Sequence, residues 1–356
     1  MLKFTNLSRD QKIRIAILLA LTKLIYFIDI LGNIPSLLLK SSARGLIYSV
    51  VFISILSGIA IKLNLPKYFD SSKIFGFYTF SRSSVLGIST SKSLEVLPLL
   101  IKSEDFPEVS SKSILAVEYN TGKILYEKNK DEKLPPASTT KLMTALVALD
   151  LYKTSEIVTI PNFCINLNTQ KAGYIPGETD NVDNLLKTLL IYSSGDAACA
   201  LAVGKVTYEN FVSLMNAKAV SLEMENTHFT NPVGFDGENG GNYSSASDLT
   251  KLAKEVLKYI LLKENVGTRE ITLKSPTTGN IGGIGHTRQI RNTNDLLWNL
   301  PGTVGIKTGR TYAAGEVLIY EYRADGKDII IVVMGSLDRF TDTKRVLEWI
   351  LYSYRW

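Results

Sequence analysis

A serine and a lysine three residues apart form the first pair in this chain whose types and spacing could do chemistry. Residues 135–142 read PPASTTKL in one-letter code, and a helix is expected to begin just after the two prolines, which cannot lie inside one. Ser138 would then lie at the helix start, where the helix dipole favours a developing alkoxide, and Lys141 would lie over the same face. A lysine activates a serine only where burial or nearby cations depress its pKa. On spacing alone, a capping serine beside a solvated lysine is the commoner arrangement.

A second candidate site lies near the end of the chain, in Lys307-Thr308-Gly309. Residues 303–306 are expected to form a strand that leads into it, and a strand edge offers backbone groups to an extended peptide. Gly309 would let a substrate approach the backbone closely, while Lys307 and the Thr308 hydroxyl could hold a carboxylate. Standing alone, this motif would be interpreted as a surface turn.

Six stretches within residues 112–356 together resemble the serine D-alanyl-D-alanine carboxypeptidases, the low-molecular-weight penicillin-binding proteins of peptidase family S11. That family carries its catalysis on three motifs, S-x-x-K, S-x-N and K-T-G. The matching stretches are TGKILYE at 121–127, PASTTKLMTA at 136–145, NPVGF at 231–235, YSSA at 243–246, NTN at 292–294 and KTGRT at 307–311. They occur in the family's order, and this order carries the resemblance more than any single stretch.

The middle motif departs from the family's pattern of S-x-N followed by Asp-Ala-Ala. Residues 193–198 read SSGDAA, so that anchoring on Asp196 puts Ser193 in the serine position and Gly195 where the family has asparagine. The hydroxyl is retained, but the amide that helps the family hold its substrate and catalytic lysine is missing. A shift by one residue would instead use Ser194 and Asp196, whereas the first register leaves every flanking match ungapped.

The resemblance implies acyl transfer through a serine ester. Lys141 would take the Ser138 proton as the hydroxyl attacks the carbonyl between two D-alanines, and Ser193 would relay a proton to the leaving amine. The backbone N–H groups of Ser138 and Arg310 would form the oxyanion hole. This chemistry needs neither a metal nor a cofactor.

The resemblance also implies a set of substrate contacts around this serine. The residues expected to contact substrate are Lys307, Thr308, Gly309, Arg310, Gly195 and Arg339. Lys307 and Thr308 would bind the terminal carboxylate, while Arg339 would either reach the same carboxylate or form a surface ion pair. The expected partners are the peptidoglycan stem peptide and, as acylating inhibitors, β-lactam antibiotics.

The fold implied is the β-lactamase/transpeptidase-like α/β (α+β) class. It has a central antiparallel sheet built from the first and last strands of the domain, helices on both faces, and a helical subdomain that carries Ser138 and Ser193. The sequence patterns agree with this class, because strands are expected at both ends and helices between them. Strands are predicted over 114–119, 123–127, 317–322 and 328–334, and helices over 139–151, 182–192, 197–206, 246–262 and 343–354.

The N-terminal third of the 356-residue chain predicts attachment to a membrane. Residues 45–61 are uncharged and apolar, which favours a bilayer span over a buried helix of a soluble core. The basic residues before position 45 would keep that end cytoplasmic, so that one span places the catalytic domain outside the cell membrane. Residues 13–31 are also apolar but include Lys23 and Asp29, which leaves open a second span or an interfacial helix.

These patterns divide the chain into an anchoring region (1–61), a Ser- and Lys-rich spacer (62–111) and a catalytic domain (112–356). Of 40 basic and 34 acidic residues, 13 and seven respectively lie within residues 1–111, so the net charge of +6 belongs to that part. The catalytic domain is neutral in count and offers no basic excess for nucleic acid. With 45% hydrophobic and 21% charged residues, the chain is not disordered.

The cysteines and histidines point to no further chemistry. Two of each leave little for a zinc site. Cys164 and Cys199 are expected to be buried free thiols, since only the fold can bring them together. His228 and His286 lack partners at ligand spacing and are expected to be structural or exposed.

Three functions remain open at this point. The first is a membrane-anchored D,D-carboxypeptidase that acts in peptidoglycan biosynthesis and cell shape. The second is a serine β-lactamase, although residues 176–179 offer no convincing E-x-x-x-N element to position a deacylating water. The third is a protein that binds peptidoglycan but does not cleave it, because position 195 has glycine where the S-x-N motif has asparagine.

Overall fold

A computed structural model describes residues 97–102, 108–236, 241–276 and 286–356. The strands are β1 (Leu99–Leu100), β2 (Ser113–Glu118), β3 (Ile124–Lys128), β4 (Ile157–Thr159), β5 (Thr179–Asn181), β6 (Glu270–Lys274), β7 (Thr287–Arg291), β8 (Thr303–Thr311), β9 (Gly315–Ala324), β10 (Lys327–Ser336) and β11 (Tyr354–Arg355). The helices are α1 (Lys141–Leu151), α2 (Asn162–Ile165), α3 (Val182–Ile191), α4 (Gly195–Val203), α5 (Tyr208–Ser221), α6 (Ala246–Leu257), α7 (Ile260–Gly267), α8 (Leu296–Asn299) and α9 (Arg339–Ser353). The predicted span 45–61, residues 13–31 and most of the predicted spacer lie outside the described residues.

A five-stranded antiparallel sheet organises the domain, in the order β3-β2-β10-β9-β8. The two strands from the start of the domain therefore pair with three from its end, as the implied fold requires. The β10 residues Ile329 to Met334 are all fully buried. A strand with no polar alternation is expected where both faces of a sheet are covered.

Helices cover both faces of this sheet. On one face Val346, Leu347 and Ile350 of α9 pack in a single core cluster with alternate β10 residues such as Ile329 and Ile331. On the other face α6 contacts β2, β9 and β10, and α7 contacts β8. The expected α/β class, with an antiparallel sheet between helical layers, is confirmed.

The remaining helices form the subdomain that carries the Ser-Lys pair. Helix α1 packs against α3, α4 and α5, and all but two of its residues are buried. A helix that is apolar on nearly every face is stable only inside a helical cluster. The first residue of α1 is Lys141, and the four residues before it form a 3₁₀ turn, Ala137–Thr140, that contacts the edge strand β8. The groove beside Ser138 therefore lies between the sheet edge and the helical subdomain.

Two helices differ from the sequence prediction by more than the positions of their ends. The expected helix over 246–262 is two helices, because Tyr259 takes an extended conformation between α6 and α7. Helix α5 was not predicted, although Thr207 caps it by accepting a hydrogen bond from the Asn210 N–H. A threonine cap followed by an acidic first-turn residue, Glu209, is a sequence signal for a helix start.

Residues before position 112 also pack against the catalytic domain. Strand β1 pairs with β11, so that Leu99 and Leu100 join the C-terminal strand. The Ser110 and Ser111 hydroxyls both donate to the buried carboxylate of Asp342 on α9, at 2.8 and 2.5 Å. The last part of the predicted spacer therefore makes specific contacts with the domain.

The two cysteines form a disulfide, so the expectation of free thiols is wrong. Cys164 on α2 and Cys199 on α4 have Cα atoms 5.4 Å apart, which is within disulfide range. The two residues are 35 positions apart in sequence, and only the packing of α2 against α4 brings them together. The bond fixes the start of the segment 164–172 to the helix that follows Ser193.

Removing this disulfide should destabilise the domain by about 2–4 kcal/mol, because a cross-link that closes a loop of this length restricts the unfolded chain. Thermal unfolding followed by tryptophan fluorescence measures the effect, since all three tryptophans (Trp298, Trp349 and Trp356) lie in this domain. The double variant Cys164→Ala/Cys199→Ala should melt lower than the wild type and no longer respond to reductant. An unchanged melting temperature of the wild type under reducing conditions would contradict the assignment.

Candidate active site

The Ser-Lys pair is preformed at the junction of the 3₁₀ turn and α1. The Lys141 Nζ donates to Ser138 Oγ at 2.9 Å and to the Val233 carbonyl oxygen at 2.7 Å. The serine therefore precedes α1 by one turn, while the lysine is the first residue of the helix. The spacing brings the two groups together as the sequence predicted, and Val233 supplies a second partner for the amine.

Burial changes the protonation of this lysine. Lys141 is 1% exposed, and desolvation lowers its pKa to about 7, with the Asp196 carboxylate acting in the opposite direction. An amine with this pKa is unprotonated about half of the time at neutral pH. A neutral Nζ can present its lone pair to the Ser138 hydroxyl while it still donates to Val233, which is the arrangement of a general base.

The loop 230–235 holds the Val233 carbonyl in place. The Asn231 Oδ1 accepts hydrogen bonds from the backbone N–H groups of Val233 and Gly234, at 3.2 and 2.7 Å. The Asn242 side chain donates to the Asn231 carbonyl and to Thr140 Oγ1, both at 3.0 Å. These bonds fix the loop to the turn that carries Ser138.

Two glycines let the backbone approach the serine turn. Gly234 has φ +83°, and a Cβ there would overlap the Ala137 carbonyl oxygen and lie 2.5 Å from the carbonyl carbon. A Cβ on Gly309 of β8 would lie 2.9 Å from Ala137 Cβ and 3.0 Å from the Ser138 nitrogen. Larger residues at either position would separate the turn from the loop or from the sheet edge.

The middle motif places Ser193, and not Ser194, in the cavity wall. Ser193 has φ +68° and is buried, and its Oγ has no hydrogen-bond partner within the described part of the chain. Ser194 instead caps α4 by accepting from the Ala197 N–H at 3.1 Å, and its hydroxyl also bonds Asp196. The geometry favours the register in which Ser193 faces the substrate.

Gly195 does not line the cavity, although it was expected to contact substrate. A Cβ built on Gly195 would overlap Thr169 Oγ1 and lie 2.7 Å from Thr169 Cβ. Thr169 therefore covers this glycine, and it lines the cavity together with Gln170. Sequence reasoning found neither residue, since both belong to an irregular segment between α2 and β5 with no motif of its own.

The other end of the cavity offers hydroxyl and cationic groups. Thr308 Oγ1 lies 2.5 Å from Thr293 Oγ1, and both side chains line the cavity. Arg339 also lines it, and its Nη1 donates to the Gly309 carbonyl at 3.1 Å and lies 3.8 Å from Glu316. The arginine therefore lies beside the cavity and near an acidic partner at once, and Thr293 is a cavity residue to which the sequence assigned no role.

Lys307 is buried behind this end and does not line the cavity. Its Nζ donates weakly to the Thr308 carbonyl at 3.3 Å. Burial first, and then the charges of Lys141 and Arg339, lower the pKa of Lys307 well below its ordinary value. A bound carboxylate would supply a counter-charge and favour the cationic form.

These groups surround one cavity of about 360 Å³. Its described lining residues are Ser138, Lys141, Thr169, Gln170, Ser193, Val233, Gly234, Phe235, Thr293, Thr308, Gly309, Arg310, Thr311 and Arg339. They include two arginines, Arg310 and Arg339, and no aspartate or glutamate. The cavity thus combines a nucleophile and its base with surroundings that favour an anionic ligand.

A fold with a Ser-Lys pair between the sheet edge and a helical subdomain defines the class of serine acyl-transfer enzymes. The model of the D-alanyl-D-alanine carboxypeptidase family Peptidase_S11 matches residues 101–338. This chain belongs to that family.

Similarity to individual known proteins supports this family assignment. D-alanyl-D-alanine carboxypeptidase DacF of Bacillus subtilis is 34% identical over 253 residues, which cover 68% of this chain and 63% of that protein. The D-alanyl-D-alanine endopeptidase of Escherichia coli is also 34% identical, over 68% of this chain and 78% of its own length. The crystal structure of the Streptomyces K15 DD-transpeptidase has a TM-score of 0.65 at 30% identity, and the match covers 70% of this chain and 99% of that one.

Acylation of Ser138 should depend on pH through Lys141. Because the folded-state pKa of this amine is about 7, its protonated form dominates below that pH and cannot accept the serine proton. The rate of modification by a penicillin should therefore fall about tenfold per pH unit below 7 and level off above it. Lys141→Arg should lose the reaction at every pH, since a guanidinium stays protonated. A rate that is flat across this range would exclude Lys141 as the base.

Gly234→Ala should damage the site far more than Gly177→Ala. Both glycines have positive φ, +83° and +77°, but nothing lies within 4 Å of a Cβ at Gly177. The control thus carries only the backbone cost, about 1–2 kcal/mol, while Gly234→Ala also pushes the loop off the serine turn. We expect a lower melting temperature and at least tenfold slower penicillin acylation for Gly234→Ala alone. Equal effects of the two substitutions would show that the close contact with Ala137 does not matter.

Proposed function

We propose that this protein is a membrane-anchored serine D,D-carboxypeptidase that removes the terminal D-alanine from peptidoglycan stem peptides. The observation that carries the proposal is the buried Lys141 amine, 2.9 Å from Ser138 Oγ, in a cavity lined by hydroxyl and cationic groups. A peptide that ends in a free carboxylate matches that lining, and the Ser-Lys pair is suited to attack an amide carbonyl.

The geometry supports the following acylation step. Ser138 Oγ attacks the carbonyl carbon between the two D-alanines as its proton moves to the neutral Lys141 Nζ. The C–N bond then breaks, and the leaving amine takes up the proton held by Lys141, relayed by Ser193, whose hydroxyl has no hydrogen-bond partner among the described residues. Backbone N–H groups of Ser138 and Arg310 would bind the oxyanion between these events.

The substrate carboxylate would lie at the Thr308 end of the cavity. Thr293, Thr308 and Arg339 offer hydroxyl and guanidinium donors there, and the carboxylate itself would favour the protonated form of Lys307 behind them. Water then hydrolyses the Ser138 ester and releases the shortened peptide.

The relatives carry names for three related activities: carboxypeptidase, endopeptidase and transpeptidase. All three share the serine ester, and they differ in the peptide bond that is cleaved and in whether water or an amine accepts the acyl group. We favour the carboxypeptidase over the endopeptidase because the two arginines of the lining suit a chain-terminal carboxylate, and the acceptor assay below separates it from the transpeptidase.

A β-lactamase is less well supported by the cavity. Rapid hydrolysis of a penicillin ester needs a base for the attacking water, and the described lining residues include no carboxylate. The nearest sequence candidate, Glu178, is buried in an ion pair with Arg288, with its two oxygens 2.5 and 2.6 Å from the guanidinium. We therefore expect a long-lived penicillin ester.

The proposed location is the outer face of the cell membrane, with residues 45–61 as a single anchor. The uncharged span and the basic residues before it support this orientation. The Cys164–Cys199 disulfide is a second support, because disulfides persist mainly outside the reducing cytoplasm. No helix among the residues that the structure describes is long and apolar enough to cross a membrane.

The full chain in detergent should release D-alanine from a stem pentapeptide, and penicillin should label Ser138. Mass spectrometry of the adduct locates the modified residue, and an enzymatic assay measures free D-alanine. Ser138→Ala should lose both reactions while it keeps the wild-type melting temperature. Ser193→Ala should slow D-alanine release by about 10²-fold or more, because it removes the proposed proton relay.

Other outcomes would identify the alternatives. Rapid penicillin turnover would favour a β-lactamase, and transfer to an added amine in place of water would favour a transpeptidase. Peptide binding without release would favour a binding protein. An adduct on any residue other than Ser138 would refute the mechanism.

A further inference from the structure

The glycine of the middle motif lies under a neighbouring side chain. Gly195 is the first residue of α4, and the Thr169 side chain occupies the space that a Cβ on Gly195 would need. We call this space the 195 notch. Because Thr169 fills the notch, the asparagine expected from the family pattern could not be accommodated beside it.

The backbone of Gln170 is hydrogen-bonded to Gly195, directly beside the 195 notch. Its carbonyl oxygen accepts a hydrogen bond from the Gly195 N–H at 2.7 Å. Its side chain is exposed and lines the cavity, with Ser138, Lys141 and Ser193 among the other lining residues. Among the described lining residues it is the one side chain with a carboxamide, which offers an acceptor and two donors in a single plane.

The segment that carries Gln170 is fixed to α4 by further contacts. The disulfide between Cys164 and Cys199 holds the start of this segment. Beyond Gln170, the Ala172 N–H donates to Asp196 Oδ1 at 3.2 Å. With the Gly195–Gln170 bond between them, three contacts hold residues 164–172 against one helix. The position of Gln170 is thus set by the same helix that follows Ser193.

We propose that Gln170 binds the backbone of the peptide substrate in place of the missing side chain at position 195. This proposal rests on the proposed function, in which the substrate is an extended peptide whose N–H and C=O groups need partners in the cavity. A carboxamide can donate to a peptide C=O and accept from a peptide N–H at once. Thr169 acts as a positioning residue that fills the 195 notch and keeps Gln170 above it.

Peptide binding without turnover provides the first test. In the full chain carrying Ser138→Ala, adding Gln170→Ala should weaken the affinity for a stem pentapeptide about three- to tenfold, as expected for one or two lost hydrogen bonds. In the chain with Ser138 intact, Gln170→Ala should lower kcat/KM for the same peptide by a similar factor. Asn168→Ala is the matched control, because it removes an exposed carboxamide of the same segment that does not line the cavity.

A second test places a carboxamide at position 195 and removes the Thr169 side chain that occupies the space. Gly195→Asn alone should lower the melting temperature and activity, because Thr169 occupies the space. Thr169→Gly with Gly195→Asn should recover both, and in that background Gln170→Ala should cost less than twofold. This dependence on background would not arise if Gln170 served only to hold the segment in place.

The outcomes separate this proposal from the function on which it rests. If the wild type neither releases D-alanine nor forms a penicillin ester, the proposed function fails, but the binding measurement still reports on Gln170. Unchanged peptide affinity in Gln170→Ala would overturn the assignment of Gln170. A loss of affinity that comes with a lowered melting temperature, or that Asn168→Ala reproduces, would also overturn it.

Discussion

The site depends on one amine that has been removed from water. In bulk solvent the Lys141 side chain would be a cation and useless as a base, whereas burial lowers its pKa to about 7. Its two hydrogen-bond partners, Ser138 Oγ and the Val233 carbonyl, then decide where the lone pair points. The helical cluster around α1 excludes water, and the loop 230–235 supplies the carbonyl. The helical cluster and the loop together keep this amine away from water and fix its orientation.

Close approach of backbones is the second constraint. The serine turn lies between the loop at Gly234 and the sheet edge at Gly309, and both contacts are closer than a side chain permits. The nucleophile is therefore held by three parts of the chain that are far apart in sequence. Its precision comes from the packing of backbone segments, more than from the conformational preferences of Ser138 itself.

Much of the fold could be predicted from the sequence because it rests on strong periodic or motif signals. The continuous apolar run of β10 specifies a strand, and the diproline before Ser138 specifies that helical structure begins after it, although a 3₁₀ turn precedes α1. The strand predicted over 303–306 continues through the Lys307-Thr308-Gly309 motif to Thr311. The features that were missed are those that the chain makes through space. No local pattern places Thr169 over Gly195, and none brings Cys164 to Cys199, so that the disulfide was wrongly expected to be two free thiols. The Tyr259 break is similar, since residues 246–262 have an uninterrupted helical pattern.

The overlap between Thr169 and a side chain at position 195 also limits how this protein can change over generations. A lineage that carries threonine at 169 can gain asparagine at 195 only by displacing the Thr169 side chain, because the two side chains need the same space. A smaller residue at 169 would remove this overlap beforehand, but it would also remove the side chain that we propose positions Gln170. The two positions are therefore coupled, since each single substitution disturbs a contact that involves the other.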